Sequence, residues 1–238
     1  MCGRFAITQR PADLAKFFAV EGLEFPPRYN VAPTQPIVAV MEQHGRRRMA
    51  LVRWGLVPGW VKDPREFSLV INARSETMAE KPAFRDALKH GRCIVPANGY
   101  YEWQAGPSGK QPYYITRADG QPMLFAGLYA TWMGPNGEEI DSAAIVTTPA
   151  SADMAFLHPR MPAILSGAAV EDWLNVREVS GHAAAQLALP LPEGSLRYHP
   201  VSTRVNGANP DDPDLITPVT IEPPKPKPAP KPAQLDLF

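Results

Sequence analysis

Apolar positions change their spacing several times along the chain, and each change marks an element. Around Phe5, Ala6 and Ile7, "CGRFAIT" suits a first strand. In "RPADLAKFFAV", Leu14, Phe17 and Phe18 share one helical face and Pro11 falls near the first turn, which predicts a short helix. "PIVAVMEQHGRRRMALVRWG" has two apolar runs around a Gly-containing turn, the pattern of a hairpin. "FSLVINARSE" reads as a strand entering a polar segment, and "KPAFRDALKHG" as a helix closed by Gly91. Further strands are expected over "RCIVPA", "GYYEWQ", "QPYYITR", "QPMLFAGLYA" and "IDSAAIVTT", punctuated by "GPSGK", "ADGQ" and "GPNGEE". "GAAVEDWLN" predicts one late helix. Strands joined by short turns, with helices at intervals, predict an α+β protein. Its core would be a mainly antiparallel, curved or barrel-like sheet with several flanking helices. Residues 1–218 show neither an internal repeat nor a split into two domains.

The pattern stops at about Pro218. "EPPKPKPAPKPA" alternates proline with lysine and holds nothing that could seed a core, so residues 219–233 are expected to form an extended, solvated tether. The last five residues, "QLDLF" (234–238), turn apolar again. A tether with an apolar tip is built to find a partner.

Composition narrows the function classes. The 24 basic and 24 acidic residues cancel, so there is no bulk attraction to nucleic acid and any such binding needs a local patch. Basic residues do gather at Arg46, Arg47 and Arg48, and at Arg74, Arg85, Lys89 and Arg92. By charge alone these read as a solvated face. Two cysteines, Cys2 and Cys93, do not make a secreted disulfide framework, and Cys93 in "RCIVPA" reads as a small core residue. The first residues lack the apolar run of a signal peptide and no stretch is long enough to span a membrane, so a cytoplasmic, monomeric protein without metal or cofactor is expected.

One cysteine is oddly placed. Cys2 follows Met1 directly, and removal of Met1 would give a residue with two nucleophiles, a thiol and an α-amine. A free α-amine has a pKa of about 7.7–8.0, so much of it is neutral and nucleophilic near pH 7. Together the two groups form a β-aminothiol, which captures an aldehyde first as a Schiff base and then as a five-membered thiazolidine. The alternative is an incidental small residue in an edge strand. Three other stretches carry polar groups in apolar settings. "INARSE" puts Asn72 and Arg74 on alternate strand positions, facing one side. "NGYYEW" sets Glu102 beside Trp103, where a desolvated carboxylate is suited to proton transfer. "HPRMP" holds His158 between prolines. Singly, each has an ordinary structural explanation: a turn cap, a surface ion pair, a satisfied histidine.

Together, "MCGRF", "RYNVAPTQ", "WGLVPGW", "INARSET", "GYYEW", "HPRMP" and "VSTRVN" resemble, in their order, the motifs of the SRAP family, the SOS-response-associated peptidases or abasic-site processing proteins. The resemblance covers roughly Met1 to Pro218. It implies that a mature N-terminal Cys2 crosslinks to abasic sites in single-stranded DNA and that Met1 is removed autocatalytically. It also implies catalytic roles for Asn72, Glu102 and His158, and allows a lyase outcome. Arg4, Arg74 and Arg85 are then expected at phosphates, Trp60 and Trp103 at bases, and Pro33 and Thr147 along the groove; for Trp60 a core position is equally compatible. "QLDLF" resembles the peptide that bacterial repair proteins insert into the sliding clamp. Gln234 would be its polar anchor, Leu235, Leu237 and Phe238 its apolar ones, with Asp236 between. Two other functions fit the same residues: an N-terminal-nucleophile amide hydrolase, and a non-catalytic adaptor between single-stranded DNA and the clamp.

Overall fold

A computed structural model describes residues 2–43, 45–106 and 109–221. Residues 222–233 of the proposed tether and the whole "QLDLF" peptide lie outside the described residues. In chain order the elements are β1 (Phe5–Ile7), α1 (Pro11–Phe18), β2 (Arg28–Val31), β3 (Pro36–Gln43), β4 (Arg46–Trp54) and β5 (Asn72–Arg74). Then come α2 (Pro82–His90), β6 (Arg92–Ala97), β7 (Gly99–Gly106), β8 (Gly109–Arg117), β9 (Met123–Met133) and β10 (Glu139–Pro149). The chain continues through β11 (Arg160–Pro162), β12 (Ile164–Leu165), α3 (Ala168–Leu174), α4 (Gly181–Ala185) and β13 (Leu196–Pro200), with 3₁₀ turns at Thr203–Asn206 and Pro213–Ile216. No described helix is long and apolar enough to cross a membrane.

Two sheets are formed. One has the order β13-β8-β7-β1-β2 and is antiparallel throughout. In the other, β4, β3, β6, β9 and β10 pair in a closed ring, because β9 bonds β6 through its first half and β10 through its second. Closure leaves those strands without free edges, and β5, β11 and β12 attach to the ring. The α+β, barrel-like architecture expected from the pattern is thus present. Two pairings are parallel: β10 runs alongside the end of β4 and then alongside β5. The chain leaves the barrel after Trp54, makes an excursion through residues 55–71, and returns to the same strand at Asn72. The strand expected over "FSLVINARSE" is therefore ladder-paired only at Asn72–Arg74. Its earlier residues are held by single bonds, Leu56 N–H to Val70 O and Ile145 N–H to Ile71 O.

The sheets meet where β6 runs on into β7. Asn98 stands at the crossing, and its Oδ1 accepts the Thr8 and Gln9 amides. Gly99 follows, and a Cβ there would come within 2.5 Å of the Ile115 carbonyl oxygen and the Tyr114 ring, so the corner admits only glycine. Phe5 packs edge-on against Trp54 and Phe125, with centroids 5.2 and 6.0 Å away, joining the two sheets through one apolar core. Gly91 does end α2, but with φ −135° rather than in the left-handed region. Glycine is needed because a Cβ would collide with the Tyr129 carbonyl, whose amide bonds Gly91 O.

Arg92 fastens the helices to the barrel. It is fully buried, and its guanidinium donates to the carbonyls of Leu88, Trp173, Asn175 and Val179 at 2.6–2.9 Å. These carbonyls belong to or follow the last turns of α2 and α3, where helices leave acceptors unused. Arg92→Met would strand four acceptors, and the expected loss is at least about 2–3 kcal/mol, read as a lower urea midpoint. A loss below about 0.5 kcal/mol would contradict this role.

Candidate active site

β1 lies antiparallel to β7 with Phe5 opposite Tyr100, and the Tyr101 amide bonds Arg4 O at 3.0 Å. This pairing draws the chain ahead of β1 alongside the middle of β7. Cys2 is there 0% exposed, within the main core cluster. From the other sheet, β5 presents Asn72, whose Nδ2 donates to Cys2 O at 2.9 Å. Because a carbonyl can only accept, this bond also fixes which end of the amide is which. Asn72 Oδ1 is buried and has no hydrogen-bond partner among the described residues.

Glu102 is 6% exposed on β7, two positions beyond Tyr100 and so on the same strand face. The carboxylate is thus enclosed rather than spread on an open surface. Burial pushes the Cys2 thiol far up, and the Glu102 charge pushes it further. Burial, then the neighbouring Cys2 and Glu102, likewise keep the Tyr100 hydroxyl protonated. The thiol at Cys2 is therefore held as S–H, with a carboxylate in electrostatic reach. His158 sits in the loop before β11. Its Nδ1 accepts the Arg160 amide at 3.0 Å, which in the neutral ring leaves the proton on Nε2. An open cleft of about 490 Å³ is lined by Glu102, Trp103, Lys110, His158 and Asn206.

The other sequence candidates are dispersed. Trp103 lines the cleft, its Nε1 donating to Asn206 Oδ1 at 2.7 Å. Arg74 is exposed on β5 and makes no side-chain hydrogen bond to a described residue. Arg4 is partly turned inward: its Nη1 donates to Asn30 Oδ1, Val205 O and Gly207 O at 2.8–3.1 Å. Thr147 is fully buried, accepting from Arg160 Nε and lying 3.4 Å from Ala73 O, so it supports β5 and β11 from beneath. Pro33 is half-buried in the turn closed by Gln35 N–H on Ala32 O. Trp60 is not a core residue: it is 57% exposed, edge-on to Phe67, and borders a second depression with Pro82, Arg85, Asp86 and Lys89. That depression shares no lining residue with the Glu102–His158 cleft.

Arg160, Asn206 and Lys110 were not among the sequence candidates. Arg160 stands in "HPRMP" and Asn206 in "VSTRVN", so a motif signal existed. Lys110 falls in "GPSGK", which reads only as a turn. Arg160 is a brace: its guanidinium bonds both Glu76 oxygens and Thr147 O, while its amide orients His158. Among the described residues no group of three His, Cys, Asp or Glu side chains could hold a metal ion.

A buried Cys2 held by Asn72 between a five-stranded sheet and a closed barrel, with Glu102 and His158 lining an open cleft, describes a barrel protein with a candidate site beside its first strand. The chain belongs to the SRAP family: the model for "SOS response associated peptidase (SRAP)" matches residues 1–208. It is 36% identical over 221 residues to the abasic site processing protein YoqW of Bacillus subtilis, covering 91% of this chain and 99% of that one. It is 35% identical over 228 residues to the abasic site processing protein YedK of Escherichia coli, covering 92% and 100%. Among solved structures, a Bacteroides thetaiotaomicron protein superposes with a TM-score of 0.82 at 26% identity, over 92% of this chain and all of that chain.

With Met1 in place, neither cysteine of the folded protein should react readily with a disulfide reagent at pH 8. The expected rates are at least about 100-fold below those in denaturant, where both react. Cys2 reacting at an unfolded rate would refute its burial. Both thiols ionise more easily when unfolded. Cys93, ordinarily near 9.0, is pushed up to about 12 by burial. Its contribution to stability is therefore complete below pH 9 and lost as pH rises toward 12. The urea midpoint should fall over that window.

Proposed function

We propose that the protein processes abasic sites in single-stranded DNA by linking Cys2 covalently to the lesion once Met1 has been removed. Hydrolysis of the Met1–Cys2 amide consumes one water and leaves a free α-amine beside the thiol. An abasic deoxyribose rests mainly as a closed hemiacetal, so catalysis begins with ring opening. Glu102 takes the hydroxyl proton, and His158, carrying its proton on Nε2, supplies one to the ring oxygen. The Cys2 amine adds to the exposed C1′ aldehyde and expels one water, giving an imine. The Cys2 sulfur then adds to the same carbon, and its proton passes through Glu102 to the nitrogen, closing the thiazolidine. The whole capture releases one water. A strand left at the imine can instead lose its 3′ phosphate by β-elimination, the lyase outcome.

The observation that carries this reading is the pairing of Asn72 with Cys2. One end of the buried amide holds the Cys2 carbonyl, and the other is an acceptor with no donor among the described residues. Exposure of the α-amine would supply that donor and fix the nucleophile in place. The protonated thiol favours the same route over amide hydrolysis. A cysteine hydrolase needs a thiolate, whereas addition to an imine needs only a neighbouring base. The names of the relatives, abasic site processing proteins, agree with this chemistry. Trp103 would contact a base and Arg74 a phosphate, and Gln234–Phe238 would deliver the domain to the sliding clamp.

Mixed with an oligonucleotide containing one abasic site, the protein should give a species that survives denaturing electrophoresis. Cys2→Ala should abolish it, and Glu102→Gln or His158→Ala should each slow it by about 10²- to 10⁴-fold. A full-strength band from Cys2→Ala would overturn the proposal. Removal of 234–238 should abolish clamp association and leave the crosslink unchanged.

A further inference from the structure

The cleft beside Cys2 holds one residue that the chemistry above does not use. Lys110 is on β8, opposite Ala105 of β7, and lines the cleft together with Glu102, Trp103, His158 and Asn206. We propose that Lys110 binds a backbone phosphate next to the lesion and thereby sets how readily the abasic sugar is captured. The inference rests on the abasic-DNA reading and names one of its binding residues.

The argument is electrostatic. An abasic sugar within a strand carries a phosphodiester on each side, and it must approach a wall that contains the Glu102 carboxylate. A cation in the same wall draws in a strand so charged. Lys110 is the one lining residue with a fixed positive charge. Of the arginines, Arg74 is exposed on β5 but does not line this cleft, and Arg160 and Arg4 are committed elsewhere. Arg160 is bonded to both Glu76 oxygens, and Arg4 Nη1 to Asn30 and the 205–207 carbonyls. Lys110 makes no hydrogen bond or ion pair with another described residue and is exposed. The β7–β8 ladder fixes its backbone while the four-carbon stem lets the ammonium follow a phosphate. Lysine acts on phosphate as a point charge and needs no planar fit.

The test compares wild type, Lys110→Gln and Lys110→Arg across salt and DNA concentrations, after confirming equal melting temperatures. At 50 mM salt Lys110→Gln should crosslink about 3- to 10-fold more slowly at subsaturating DNA, with its rate at saturation unchanged. Its log–log salt slope should be shallower by about 0.7, so that between 50 and 200 mM salt the gap narrows by about 2- to 3-fold. Lys110→Arg should stay close to wild type. A neutral methylphosphonate on either the 5′ or the 3′ side of the lesion should slow wild type as far as Lys110→Gln, and should not slow Lys110→Gln further. Equal salt slopes, a defect in Lys110→Arg as large as in Lys110→Gln, or no coupling to either methylphosphonate would each overturn the assignment. If no abasic oligonucleotide crosslinks to wild type, the functional reading fails. Equilibrium binding of undamaged single strand then decides the Lys110 question: a shallower slope for Lys110→Gln supports it, and equal slopes reject it.

Discussion

The structure depends on the burial of a residue at the very start of the chain. Residues near a terminus ordinarily trail in water, yet Cys2 is wholly enclosed, with its carbonyl bonded by Asn72. Burial of a polar backbone group is tolerated only when a partner is supplied, and here the partner comes from the other sheet. One hydrogen bond therefore ties the five-stranded sheet to the barrel at the point where reactive groups gather. The same enclosure keeps the thiol protonated, which suits a nucleophile that acts second, after an amine.

That arrangement is possible because β6 passes from one sheet into the other as β7. Gly99 permits the tight corner, and beyond it β7 sets Tyr100 and Glu102 on the face that meets Cys2. The opposite wall comes from the barrel. β10 pairs with β5 on one side and β11 on the other, so Asn72 and the His158 loop are referred to one strand. Arg160 completes the frame by bonding Thr147 of β10 and Glu76 after β5 while its amide fixes His158. The groups that would exchange protons with the substrate are thus held by ladders and braces rather than by loops alone.

Much of this was legible in the sequence, for physical reasons. Alternating apolar residues and turn chemistry located the long strands, and α1, α2 and α3 followed from helical spacing. Cys2 stood out by its place directly after Met1, and Asn72, Glu102 and His158 through the ordered motifs that resemble the SRAP family. Short elements such as β2, β11, β12 and α4 escaped, since two to five residues carry little periodicity. The parallel pairing of β5 with β10 is a long-range fact that no local pattern encodes. Arg4 and Thr147 show the limit for sites: the resemblance suggests DNA contact, but only the fold reveals that their polar groups also bond the protein. Trp60 shows the reverse, an aromatic whose exposure the sequence left open.

The central claim is that Cys2 acts through nitrogen and sulfur together. The most direct measurement is the intact mass of the protein after incubation with abasic single-stranded DNA, for the Met1-free chain and for one whose Cys2 amine is blocked by a residue that cannot be removed. The account predicts an adduct equal to protein plus DNA minus one water for the free amine, and none for the blocked chain although its thiol is intact. An adduct of equal yield from the blocked chain would contradict it.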